Sequence, residues 1–218
     1  MASGLDADSD DGQTPGNAGQ WMGMDEWVSY ILSVPLAEEP GKRFVYADIN
    51  AALIGAIIEE KSGMSLRDFA REKVFDPLGI KEFYWYANGA NQTVAAGTLY
   101  LSTLDFAKLG VLVTNEGKWA NEQIVQPDYI KMLLERKAFD LSDWWSFTDA
   151  YGMLWYKTQR EFNGRKFDYL WASGRGGNHL VVVPKENMVI ALTSSAYGPR
   201  YGHARAYDIV GELLKALD

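Results

Sequence analysis

The sequence predicts an α+β fold with one main domain. Helical spacing dominates the first 150 residues, short strand-like runs fill most of the rest, and one amphipathic helix closes the chain. Helices followed by consecutive strands give an antiparallel sheet rather than the alternating order of a doubly wound fold. With 218 residues, 47% hydrophobic and 13% aromatic, the chain can bury a sizeable core.

Residues 1–20 carry four Asp, four Gly and no bulky apolar residue after Leu5, so a flexible acidic arm is expected there. From Met24 to Val34, Trp27, Val28, Ile31 and Leu32 recur at helical spacing, and Pro35 ends the pattern. Ile49 to Lys61 reads as a second helix, with Gly63 at its C-terminal end and an apolar stripe (Leu53, Ile54, Ile57, Ile58) broad enough to predict that it is mostly buried. Ser65 with Asp68, and Ser102 with Asp105, have the form of helix caps, which assigns both serines to structure rather than chemistry. Pro127 suits the first position of a helix carrying Tyr129, Ile130, Met132 and Leu133.

After residue 150 the period shortens. "YGMLWYKTQ", "RKFDYLWAS", "NHLVVVP" and "MVIALTSS" are rich in aromatic and β-branched residues and are separated by turn chemistry at Asn163-Gly164, Gly174 to Gly177 and Lys185 to Asn187. Ala204 to Leu217 reads as the closing helix. The expected boundaries are an arm over 1–20 and a domain over 21–218, mainly helical over 21–150 and stranded over 151–218.

A net charge of −8 argues against a nucleic-acid partner, because phosphate binding needs clustered Lys and Arg. The longest apolar run, Ala51 to Ile58, falls far short of the roughly 20 residues of a membrane span. The first twenty residues lack the basic start and apolar region of a secretory signal, and the compartment stays unassigned. Without Cys there is no thiolate chemistry, and His179 and His203 lack ligand spacing, so neither a metal nor a cofactor is expected. The Gly174, Gly176, Gly177 cluster leads from strand to strand, which makes it a turn rather than a phosphate loop.

"GKRFVYADINAALIGAIIEEKSG" places Tyr46 two residues before Asp48 at the entrance of a helix, a phenol suited to proton transfer. Together with "LYLSTLDFAKLGVLVTNEGKWANEQIV" and "YLWASGRGGNHLVVVPKENMVIALTSS", it resembles consecutive parts of β-lactamase-related serine hydrolases: class C β-lactamases, penicillin-binding proteins, EstB-like esterases and nylon-oligomer hydrolases. "MASGL" is similar to the "TSGL" piece that follows the nucleophile helix in that family. The resemblance implies a β-lactamase/transpeptidase-like fold and acyl transfer by a serine of a Ser-x-x-Lys helix, assisted by the Tyr of Tyr-x-Asn.

By that resemblance Tyr46 is the catalytic tyrosine, and Asp48 stands where Asn is commoner. Ala172, Ser173 and Gly174 match a motif that usually opens with Lys or His, and the Arg175 N–H is half of an oxyanion hole, a donor worth roughly 3 kcal/mol of barrier. Asp48, Ser173, Gly174 and Arg175 thus bind or orient substrate. The missing basic residue at Ala172 points to a neutral ester or amide rather than a β-lactam. No Lys has a Ser three residues before it, and no Gly-x-Ser-x-Gly occurs. Two function classes follow: part of a serine hydrolase whose Ser-x-x-Lys segment, N-terminal strands and nucleophile helix lie outside this chain, or a silent relative that binds a ligand in the inherited cleft. The expected partners are a small ester or amide and an N-terminal fragment or a second copy of the chain. Members of the family are often exported bacterial proteins.

Overall fold

The computed structural model describes residues 1–135, 139–143, 146–198 and 201–217. It divides into two compact units, Met1–Tyr100 and Leu101–Asp218. The expected division near residue 150 separated helices from strands; the units instead group two of the long helices with the sheet.

The first unit contains α1 (Ala18–Trp21), α2 (Trp27–Ser33), α3 (Asp48–Ser62) and α4 (Leu66–Ala70), which runs into a π-helical turn, Arg71–Phe75, followed by the short pair β1 (Tyr84–Trp85) and β2 (Leu99–Tyr100). Asn17 caps α1 by accepting the Gly19 N–H, and Ser65 caps α4 by accepting the Asp68 N–H, as the sequence predicts for Ser65. The rings of Trp21 and Trp27 stack 5.2 Å apart in a core with Ile31, Ile49 and Ala52. Truncating either Trp to Ala would cost about 3–5 kcal/mol. Burial of α3 is narrower than its sequence suggests: Ile49, Ala52 and Gly55 are buried, whereas Ile54 and Ile57 are 46% and 59% exposed. The Ile49–Ala52 side faces the tryptophan core, and the broad stripe extends beyond it.

Residues 1–20 do not form a separate arm. The Met1 and Ala2 carbonyls accept the Val45 and Gly41 N–H groups, the Gly4 carbonyl accepts that of Ala37, Asp6 donates to the Pro35 carbonyl, and Ala7 enters the tryptophan core. Main-chain hydrogen bonds and two small or medium side chains, Leu5 and Ala7, do what bulky residues were expected to do.

In the second unit, α5 (Thr103–Thr114) precedes the short pair β3 (Lys118–Trp119) and β4 (Glu122–Gln123), then α6 (Pro127–Glu135). Ser102 caps α5 by accepting the Asp105 N–H at 3.1 Å. The strands β5 (Phe139–Asp140), β6 (Ala150–Gly152), β7 (Trp155–Phe162), β8 (Arg165–Gly174), β9 (Asn178–Val183) and β10 (Met188–Leu192) form one antiparallel sheet, and α7 (Tyr201–Lys215) closes the chain. Each strand pairs with the next, in the spatial order β10-β9-β8-β7-β6-β5, so among the described residues β10 has β9 on one side and lies at the edge on the other. This is the α+β arrangement expected.

Alternation divides the sheet residues between two faces. Leu170 and Val182 pack with Val113 of α5 and with Ile130 and Leu133 of α6. By register Ala172 and Leu180 share that face, while Trp171, Ser173, His179 and Val181 take the other, where Tyr207 of α7 lies edge-on to Trp171 and His179.

Candidate active site

Tyr46 and Asp48 sit where extended chain turns into α3. The residue at the cap position is Ala47, which has no side chain to satisfy the first helical N–H groups. Ser9, 39 residues earlier, fills this role: its hydroxyl accepts the Asp48 N–H at 3.1 Å, and its own N–H donates to the Tyr46 carbonyl at 2.9 Å. The backbone of Tyr46 and Asp48 is thereby held at the start of α3. No sequence spacing signals this use of Ser9, because the contact is made only through the tertiary fold.

The electrostatics of the pair follow from burial in acidic company. Burial pushes the Asp48 carboxyl up from its ordinary range, opposed by the Ser9 hydroxyl. Burial also raises the Tyr46 phenol, and the nearby Asp48 and Asp10 raise it further. A phenol so placed holds its proton at neutral pH; to act as a base it needs a cation beside it.

Ser173, Gly174 and Arg175 belong to the second unit, at the end of β8 and the turn into β9. Gly174 pairs with Asn178 as the last rung of the ladder. The Arg175 carbonyl accepts the Asn178 side-chain amide at 2.8 Å, and the oxygen of that amide accepts the Ser194 N–H at 3.0 Å. The Gly176 carbonyl accepts the Ala196 N–H at 3.2 Å, and the Gly177 N–H donates to the Gly174 carbonyl. The turn is thus held from several directions, while the Arg175 N–H has no hydrogen-bond partner among the described residues.

Ser173 points to the α7 face. Its hydroxyl lies 3.2 Å from His179 Nε2 and 3.1 Å from His203 Nδ1, and those two nitrogens are 3.3 Å apart. The rings of Tyr156, Trp171 and His179 stack across three strands beneath it. Burial lowers His179 to about 4, with a smaller push from His203, and burial also lowers His203. The sequence singles out both histidines only as lacking ligand spacing; their meeting depends on strand register and on the placement of α7. Among the described residues no group of three or more His, Asp or Glu side chains is arranged to hold a metal ion, and no helix is long and apolar enough to cross a membrane.

A sequence profile for the family described as Beta-lactamase matches residues 1–213. An N-acetylmuramyl-L-alanine amidase of Bacillus subtilis (strain 168) is 31% identical over 70 residues, 31% of this chain and 16% of that protein. The solved octameric penicillin-binding protein homologue from Pyrococcus abyssi superposes with a TM-score of 0.65 at 24% identity, over 86% of this chain and 47% of that one. A β-lactamase/D-alanine carboxypeptidase from Yersinia pestis superposes with a TM-score of 0.67 at 16% identity, over 98% and 68%. The match to the amidase takes in about a sixth of its length, and the superposition on the Pyrococcus abyssi protein about half.

Proposed function

We propose, from the premise that the chain belongs to the β-lactamase family, that it supplies the tyrosine-bearing part of a serine hydrolase cleaving a neutral ester or amide through an acyl-enzyme. The observation that carries the reading is the Ser9–Tyr46–Asp48 arrangement, in which Ser9 holds the backbone at the start of α3 and burial keeps the Tyr46 phenol protonated. A serine and a lysine from a segment that this chain does not contain would complete the site, the lysine being the cation that Tyr46 needs in order to exchange protons with the nucleophile. The Arg175 N–H, with no partner among the described residues, supports a role as an oxyanion donor. Ala172, at the position where relatives usually carry Lys or His, offers no cation for a substrate carboxylate, which favours an uncharged substrate.

Fluorophosphonate labelling tests the proposal, applied to the chain alone and to the complex isolated from its source cells and weighed by native mass spectrometry. Label on a serine outside this chain, with the chain alone unlabelled, supports the reading. Stoichiometric label on a serine of the chain itself overturns it, and Ser173 and Ser194 would then be the first to replace with Ala. Absence of label from both would favour the silent ligand-binding relative.

A further inference from the structure

The turn from β8 into β9 carries Arg175, Gly176 and Gly177 between the paired Gly174 and Asn178. Gly176 and Gly177 both take φ of +89°, and two adjacent glycines open many other paths to such a turn. Each peptide group is planar, so a bond to its carbonyl also fixes the N–H of the next residue. The Gly174–Arg175 group is held by the last rung of the ladder and by the Gly177 N–H, which donates to the Gly174 carbonyl at 3.3 Å. The Arg175–Gly176 group is held through its carbonyl, which accepts the Asn178 side-chain N–H at 2.8 Å. The Gly176 N–H, like that of Arg175, has no hydrogen-bond partner among the described residues.

The orientation of the Asn178 amide is dictated by its neighbours. The Arg175 carbonyl can only accept, so the nitrogen faces it; the Ser194 N–H can only donate, so the oxygen faces that, at 3.0 Å. Both ends of the amide are used, and an isosteric carboxylate would have no donor to offer Arg175. The stretch after β10 returns a second bond, the Ala196 N–H donating to the Gly176 carbonyl at 3.2 Å. Asn178 therefore braces the turn against the chain that follows β10, from the strand of which it is itself the first rung.

We propose that Asn178 is the positioning residue of the candidate oxyanion turn: its amide keeps the Arg175–Gly176 peptide from rotating and so holds the unpaired Arg175 N–H in one direction. Without that bond Arg175 is held on its N-terminal side alone, and its N–H sweeps a wider cone. A donor of this kind stabilises developing negative charge only if it is aimed before the reaction begins, so a small loss of alignment is costly. The clamp stands on the hydrogen bonds of the turn; only its part in catalysis rests on the hydrolase reading.

Two substitutions test this. Asn178→Asp keeps the acceptor for Ser194 but, ionised at neutral pH, sets an oxygen against the Arg175 carbonyl. Asn178→Ser is neutral and its hydroxyl stops one bond short of both partners, which separates the lost donor from the added charge; either variant suffices if the other does not fold. Backbone nitrogen relaxation of the chain reads the clamp without substrate. In the wild type the Arg175 and Gly176 amides should have order parameters of about 0.85, like those of Leu180–Val182, and in the variants about 0.6 or less with Leu180–Val182 unchanged. In a complex that turns over an ester, the variants should lose about 10²-fold in kcat with KM nearly unchanged, because an oxyanion donor acts in the transition state. A mobile Arg175 amide in the wild type, equal order in wild type and variants, or a loss confined to KM overturns the proposal. Loss of order in the variants, together with a complex that takes no fluorophosphonate label, supports the clamp and removes the hydrolase reading.

Discussion

Replacing Gly177 with Ala separates two costs that the structure places at one residue. Its φ of +89° is strained for any L side chain, at about 1–2 kcal/mol. A Cβ there would also lie 2.6 Å from the Gly202 carbonyl oxygen and 2.9 Å from its carbon. Both partners are backbone, so relief requires moving the first turn of α7 by several tenths of an ångström. Overpacking of this kind costs about 1–3 kcal/mol. Gly164, in the turn between β7 and β8, supplies the control: its φ is +81° and nothing lies within 4 Å of its would-be Cβ. Gly164→Ala should therefore lose only the conformational part, and Gly177→Ala about 2–5 kcal/mol in all. Urea unfolding followed by tryptophan fluorescence measures both. Equal losses would mean that α7 does not rest on this turn, and the description of the second unit would be wrong at that point.

Other consequences are open to measurement. Tyr46→Phe, in a complex that turns over an ester, should lower the rate by about 10²–10⁴ while leaving the unfolding curve in place; an unchanged rate assigns Tyr46 to packing. Because burial raises the Asp48 carboxyl, the folded state holds that proton more tightly than the unfolded one, a stabilisation present at low pH and lost as pH rises through the folded value. Asp48→Asn should accordingly raise the urea midpoint at pH 7 and raise it less towards pH 4; a pH-independent change, or a loss at pH 7, refutes this. Along β10 the amides turned to the open edge should exchange faster than those turned to β9, with a tendency to pair with a second chain. A monodisperse monomer with uniformly protected Met188–Leu192 would contradict it.

The long elements are legible in the sequence because their signals are local. Ser65 and Ser102 cap the helices they were expected to cap, Pro127 opens α6, and the runs after residue 150 become β7 to β10. The two-residue strands β1 to β5 are too short to show alternation, apart from the three residues of β6 beside them, and α1 is a single turn defined by Asn17. Of the candidate residues, the Tyr46–Asp48 pair at the start of α3 and, separately, the glycine turn after β8 can be singled out in the sequence, their suggested roles coming from family resemblance. Ser9 and the histidine pair cannot, since a contact across 39 residues or between β9 and α7 leaves no period in the chain. The exposed Ile54 and Ile57 show the opposite error, an apolar stripe wider than the surface it meets.

The Ser9 contact also bears on the order in which the molecule assembles. Helices α2 and α3 need only neighbours in sequence to begin forming, whereas the alignment of Met1–Ser9 along Pro35–Asp48 closes a loop of tens of residues, and such closures come late because their entropy is lost before their contacts are made. The start of α3 is therefore among the last features to settle and among the first to loosen. Removal of residues 1–9 would leave Tyr46 and Asp48 chemically intact while taking away the hydrogen bonds that hold the start of α3, so this stretch, rather than the tyrosine itself, sets how firmly that entrance stays formed.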